Sequence, residues 1–250
     1  MQQIGEQALA AANISHPAGI DIGKNPLVQE LKTEFLHARQ LAARGDTVLA
    51  TVRDVARAGA LREVADSSSG RVTVHACDVR DDASVRAFAA ELGATPVDVL
   101  VNNAGVMGRL TSLEDLDVDD ARDTFDTNAL GPLRVARALL PHLSRGARRC
   151  IVHVSSGMGS ISDNTSGGAY AYRMAKAALN MANRSMSVDL AGRGFVCVVM
   201  CPGWVDTDMG GEGAPLPVDV SVKHLLARID GFSAHDNGAF VSHDGRAIPY

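Results

Sequence analysis

Tyr172 and Lys176 stand four residues apart in the run Tyr172-Arg173-Met174-Ala175-Lys176. Four residues is one helical turn, so a helix here puts both side chains on one face. A free phenol titrates near pKa ~10, too weak an acid and too fully protonated a base for neutral-pH chemistry. An adjacent ammonium favours the phenolate and pulls that value down. A phenol so tuned can give a proton to a developing alkoxide or take one from an alcohol. The pair alone is weak evidence, because with 3 Tyr in 250 residues chance supplies it in roughly one such sequence in twenty. A surface helix with an amphipathic Tyr and a solvated Lys has the same spacing.

The surroundings decide against that plain reading. Ser155-Ser156-Gly157 follows the Val-rich run Ile151–Val154, and in open α/β sheets ligands collect at the carboxyl ends of strands. A hydroxyl there can hold a carbonyl oxygen beside the phenol, an oxyanion-type contact; an ordinary Ser/Gly turn is the simpler alternative. Asn102-Asn103-Ala104-Gly105 follows the run Val97–Val101 in the same way, and a polar turn would explain it too. Asn128 falls in the middle of a helical stretch, an unfavourable place for Asn unless its side chain has a specific partner.

The elements that must position these residues alternate along the chain. Thr47–Val52, Val72–Ala76, Val97–Val101, Cys150–Val154 and Phe195–Met200 are short and apolar, as strands buried on both faces are. Between them Asp82–Leu92, Asp120–Leu143, Tyr172–Leu190 and Val218–Ile229 have helical spacing. Such alternation implies right-handed crossovers and an α/β fold with a parallel, doubly wound, Rossmann-like sheet. A short last strand is expected around Ala239–Ser242, and Gly210–Pro217 is placed to act as a flexible lid.

The N-terminal segment breaks the rhythm. A helix start is legible at Asn25-Pro26, with Asn as cap and Pro in the first turn, and Leu27, Leu31, Phe35, Ala38 and Leu41 carry the pattern toward Gly45. The strand that should precede it is not legible. Gln7–Ala12 is mostly Ala, a better helix former than strand former, and His16-Pro17 disfavours continuous pairing. The expectation is that residues 1–25 form no normal first strand, leaving a gap or an irregular filler between the Thr47–Val52 and Val97–Val101 strands.

Bulk properties narrow the function classes. At 250 residues, 46% hydrophobic and 21% charged, one soluble domain spanning 1–250, with 1–32 atypical, is expected. The formal net charge of -5 and the lack of a basic stripe exclude nucleic acid as an expected partner. No apolar run reaches membrane-span length, and the N-terminus lacks a secretory layout. Cys77, Cys150, Cys197 and Cys201 sit in or beside apolar runs without metal-ligand spacing, so buried free thiols, no metal and a cytoplasmic location are expected.

Taken together, Asp78-Val79, Asn102–Gly105, Asn128, Ser155-Ser156, Tyr172–Lys176 and Pro202-Gly203, continued by Trp204-Val205-Asp206-Thr207, resemble the short-chain dehydrogenase/reductase family over about residues 35–250. The long Ser156-to-Tyr172 interval and the ending Asp244–Tyr250 resemble its branch of C-factor-like proteins and small carbonyl reductases. The resemblance implies a carbonyl reductase or alcohol dehydrogenase using NADP(H), with a small aldehyde, ketone or alcohol as substrate. It implies Tyr172 as general acid/base, Lys176 as its tuner and a ribose ligand, Ser156 orienting the carbonyl, and Asn128 holding a water that links Lys176 to solvent. Asp78 and Val79 would meet the adenine, Asn103 would lie along the cofactor, and Val205 and Thr207 would meet the carboxamide. Arg53, where an NAD-preferring member would carry an acid, implies a 2′-phosphate partner; a solvated surface Arg is the alternative. A homodimer or homotetramer through the two long helices is the expected assembly.

The family's glycine-rich turn is defaced: Gly19 and Gly23 keep their mutual spacing, but Ala18 and Asn25 stand at the first and last motif positions, and Asp21 is repulsive to a pyrophosphate, partly offset by Lys24. Weak cofactor affinity, or a cofactor-poor pseudoenzyme or binding protein on the same scaffold, therefore stays open as the alternative function.

Overall fold

The computed structural model describes residues 8–12, 32–211 and 213–250. In chain order the elements are β1 Ala8–Ala12, α1 Lys32–Arg44, β2 Thr47–Val52, α2 Gly59–Ser67, β3 Val72–Ala76, α3 Asp82–Glu91 and β4 Val99–Asn102. They continue with α4 Val118–Phe125, α5 Gly131–Arg145, β5 Cys150–Val154, α6 Tyr170–Asp189, β6 Val196–Cys201, α7 Val218–Gly231 and β7 Phe240–Ser242. The strands form one seven-stranded sheet in the order β3-β2-β1-β4-β5-β6-β7, parallel at every pairing. The strand order reverses between β1 and β4, and in such sheets the crevice outside the carboxyl ends at this point is the ligand site.

The expected gap in the sheet is absent. Ala8–Ala12 runs parallel to both neighbours, with Ala8 opposite Thr47 on β2 and Leu9 opposite Val99 on β4. Strand propensity measures how well a side chain suits a pleated, half-buried surface, and it is easily overridden by context. Here a hydrogen-bond ladder on each side supplies what alanine lacks intrinsically. The helix start at Asn25-Pro26 and the degenerate turn with Gly19, Asp21, Gly23, Lys24 and Asn25 lie outside the described residues. Helix α2, Gly59–Ser67, has no counterpart in the sequence reading.

Alternation along the strands builds two apolar layers. Val48, Ala50 and Val52 of β2, Val99 and Val101 of β4, Val152 of β5 and Val198 and Met200 of β6 share one cluster with Leu41 of α1, Leu61 of α2 and Val222, Leu225 and Ile229 of α7. Their neighbours Leu49, Leu100, Ile151 and Cys197 turn to the other face, against Val85 and Phe88 of α3 and Val135, Leu139 and Leu143 of α5. Leu100, Leu139, Leu143 and Ile151 are fully buried, and each such side chain contributes about 1.5–3 kcal/mol of transfer free energy. These layers hold the carboxyl ends of β4, β5 and β6 in fixed register.

All four cysteines are free thiols. Cys77, Cys150 and Cys197 are buried as expected, whereas Cys201 is only half-buried because it ends β6 at the carboxyl edge. Among the described residues no helix is long and apolar enough to cross a membrane.

Candidate active site

Three strand ends and one helix start meet at that edge. Helix α6 begins at Tyr170, two residues ahead of the expected start. Gly167, Gly168 and Ala169 before it all have positive φ, a left-handed reversal that glycine enters freely and alanine rarely. This reversal leads into the helix, and Ala169 is further held by its amide N–H, which donates to the Thr111 carbonyl (3.2 Å).

The first turns of α6 then place Tyr172 and Lys176, 5% and 3% exposed, against the end of β5. Lys176 Nζ donates to the Val154 carbonyl at 3.0 Å and lies 5.7 Å from the centre of the Tyr172 ring. Ser156, just past β5, hydrogen-bonds the Tyr172 phenol, and its Oγ also accepts from the Met158 amide (3.1 Å), capping the short turn Gly157–Gly159. Tyr172, Ser156 and Lys176 are thus one cluster. Cys201 belongs to it as well: its Sγ accepts from the Gly157 amide at 3.3 Å and is electrostatically coupled to Tyr172 and Lys176. The sequence reading counted Cys201 only as a core thiol, although its place directly before Pro202-Gly203 was a signal.

The electrostatics differ from the expectation. Burial pushes the Tyr172 phenol up to about 12, against the opposing pull of the Ser156 hydrogen bond. Burial likewise pulls the Lys176 ammonium down to about 8. Desolvation disfavours the charged form of each group, and it sets the direction for Tyr172, whereas the sequence spacing suggested a downward pull by the ammonium. The phenol is therefore held protonated, ready to act as an acid. His153 on β5, fully buried, is kept neutral by desolvation and by the nearby Lys176 charge, which lower it to about 3.

Asn128 has the specific partner its position demanded. It lies in a π-helical turn, Asp126–Leu130, between α4 and α5. Its Oδ1 accepts from the Val106 amide (2.8 Å) and its Nδ2 donates to the Val106 carbonyl (2.7 Å), fixing the chain just past Asn102–Gly105. A Cβ placed on Gly105 would fall 3.2 Å from Asn128 Oδ1 and 3.4 Å from Lys176 Nζ. The missing side chain leaves a spot within hydrogen-bond reach of both groups.

The other candidates flank this cluster less tightly. Asn102 is buried, its Nδ2 3.2 Å from His153 Nδ1, while Asn103 after it is half-buried. Arg53, directly after β2, is half-buried. The Asp78 carboxylate accepts from the Arg80 amide (2.9 Å). The Val79 side chain is 1% exposed and packs on Gly131, where a Cβ would approach within 2.9 Å, so only its main chain is placed to meet a ligand. Val205 is buried and bridged to Leu216, and Thr207 Oγ1 accepts from the Gly210 amide (3.1 Å). The expected lid is therefore pinned at its base, and Trp204 Nε1 donates across it to the Gly210 carbonyl (2.7 Å).

Comparison with known proteins follows the same lines. The short chain dehydrogenase family model matches residues 35–215. The chain is 55% identical to the C-signal of Myxococcus xanthus over 166 residues, which is 66% of this chain and all of that protein. Among solved structures it is similar to carbonyl reductase Sniffer of D. melanogaster, at 30% identity and a TM-score of 0.86, covering 98% of this chain and 99% of that one. It is also similar to NADPH bound carbonyl reductase from chicken fatty liver, at 30% identity and a TM-score of 0.82, with the same coverage.

Proposed function

Because the chain belongs to the short-chain dehydrogenase family, we propose that it is an NADP(H)-dependent oxidoreductase that reduces an aldehyde or ketone, or oxidises the matching alcohol. The observation that carries this reading is the convergence of Tyr172, Ser156 and Lys176 at the carboxyl edge.

Several features support a nicotinamide dinucleotide there. The strand order reverses between β1 and β4, and the Asn103–Gly105 segment follows β4 at that point. Lys176 Nζ spends one donor on Val154, and an ammonium has three, which suits a ribose hydroxyl. In this reading Arg53 would meet the 2′-phosphate, Asp78 and Val79 the adenine, Asn103 the length of the cofactor, and Val205 and Thr207 the carboxamide. Bound NADPH would supply the hydride to the carbonyl carbon.

The chain's own residues do the rest. Ser156 Oγ donates to the carbonyl oxygen and holds it beside Tyr172. As negative charge develops on that oxygen, Tyr172 Oη gives up its proton, which makes the alcohol. The Lys176 ammonium stabilises the phenolate so formed. The spot beside Gly105, within reach of Asn128 Oδ1 and Lys176 Nζ, suits a water that returns the proton from solvent. Trp204 and Met209, exposed apolar side chains on either side of Val205–Thr207 in the sequence, favour an uncharged substrate. Met181, 66% exposed on α6, supports self-assembly through that helix.

Fluorescence titration with NADPH tests the reading directly. Binding in the micromolar range is expected, and Arg53→Glu should weaken NADPH at least about tenfold while sparing NADH. The relative named C-signal supports a second reading, an interaction protein on this scaffold; no NADPH binding up to millimolar concentration would favour it.

The pH profile is a further check. Lys176 is charged below about 8 and neutral above, while Tyr172 stays protonated to about 12. Reductive kcat/KM, which reports groups of the free enzyme, should fall as pH rises through about 8. A profile flat to pH ~10 would contradict the assigned role of Lys176.

A further inference from the structure

One buried polar side chain on α6 is not used by the proton transfer described above. Asn180 lies one turn beyond Lys176 and two beyond Tyr172, and it is 2% exposed. Its Oδ1 accepts from Ser155 Oγ at 2.8 Å, and its Nδ2 donates to the Gly159 carbonyl at 3.1 Å. These two partners bracket Ser156. Ser155 is fixed on its other side by its amide N–H, which donates to the Met200 carbonyl (2.7 Å) and continues the β5–β6 ladder. Gly159 lies flush on α6: a Cβ there would come within 2.9 Å of Lys176 Cβ and 3.1 Å of Asn180 Nδ2. One carboxamide thus ties both ends of the turn that carries Ser156 to the helix that carries Tyr172 and Lys176.

We propose that Asn180 is a positioning residue for the reaction, setting where the Ser156 hydroxyl stands relative to the Tyr172 phenol. The inference rests on the reductase reading above. A carboxamide suits the task because it supplies one acceptor and one donor in a rigid plane, matching a hydroxyl on one side and a carbonyl on the other. Without it the turn keeps its sequence and its Met158 cap but loses its register on α6. Displacement of a reacting group by about 1 Å can cost up to ~10²-fold in rate. Sequence spacing offered a signal, since Asn180 repeats the four-residue step from Tyr172 to Lys176.

A double-mutant cycle read by kcat tests this, using NADPH with hexanal, benzaldehyde and acetophenone. Asn180→Ala should lower kcat about 10- to 100-fold while leaving the NADPH Kd within about twofold. In a Ser156→Ala background the same substitution should have little further effect, because the group it positions is gone. Ser155→Ala, which cuts the same tie from the other end, should behave alike and guards against an Asn180 variant that fails to fold. Equal loss of kcat in both backgrounds, or an unchanged kcat in Asn180→Ala, would overturn the positioning role while the reductase reading stands. A wild-type chain inactive on all three carbonyls, or a fully active Ser156→Ala, would overturn both.

Discussion

Tyr172→Phe should lower kcat by about 10²–10⁴-fold, the usual contribution of a positioned acid or base, while NADPH affinity and folding stability hardly change. The phenol is held protonated across the neutral range, at about 12, so removing its oxygen removes the proposed proton donor. The ring is buried and stays, and the loss of the Ser156 hydrogen bond costs about 1 kcal/mol. The measurement is a paired one: steady-state kcat with NADPH and an aldehyde, and thermal unfolding of both proteins. Residual turnover above a tenth of wild type would place the acid elsewhere, and Cys201, beside the same cluster, would be the next residue to replace.

The largest effect on stability is expected from Gly146→Ala. Gly146 ends α5, its amide bonded to the His142 and Leu143 carbonyls at 3.1 Å each. A Cβ there would lie 2.0 Å from the Val97 carbonyl oxygen and 3.0 Å from Asp98 Cα. Both are backbone atoms leading directly into β4, so no side-chain rotation relieves the clash. Forcing atoms into a packed site costs about 1–3 kcal/mol, and more where backbone must move. We expect a loss of at least about 3 kcal/mol, read as a fall in Tm of roughly 6–12 °C for a chain of this size. Gly59→Ala is the control, since nothing stands within 4 Å of its Cβ position; its Tm should move by no more than about 2 °C. A Gly146→Ala protein that melts like the control would show that the α5–β4 junction yields easily.

These two substitutions differ in how visible their sites were in the sequence. Tyr172, Lys176 and Ser156 were legible because each stands at a fixed offset from an apolar strand or along a helical turn. Asn128 was legible as an anomaly, a polar residue badly placed in a helix, and the structure supplies the reason in its two bonds to Val106. Strand β1 was illegible because alanine carries little strand signal and its pairing partners lie far along the chain. The direction of the Tyr172 shift was illegible for a related reason: spacing reveals the ammonium nearby but not the depth of burial that raises the phenol. The tight approach at Gly146 could not be read at all, since the atoms it meets belong to a loop some fifty residues earlier.

The place of β1 in the sheet has a consequence for how the chain is made. Among the described strands β1 is translated ahead of the others, yet its partner on one side, β4, follows about 90 residues later. At roughly 5–20 residues per second, β1 waits roughly 5–18 s for that edge to be covered, with β2 able to protect only the other. An unpaired strand edge is a template for pairing with another chain, and long-range parallel pairing is intrinsically slow. The interval before Asn102 is translated is thus when a nascent chain is most exposed to wrong partners. Aggregation during expression should respond to translation rate and to chaperone supply over the codons between β1 and β4 more than over those that follow.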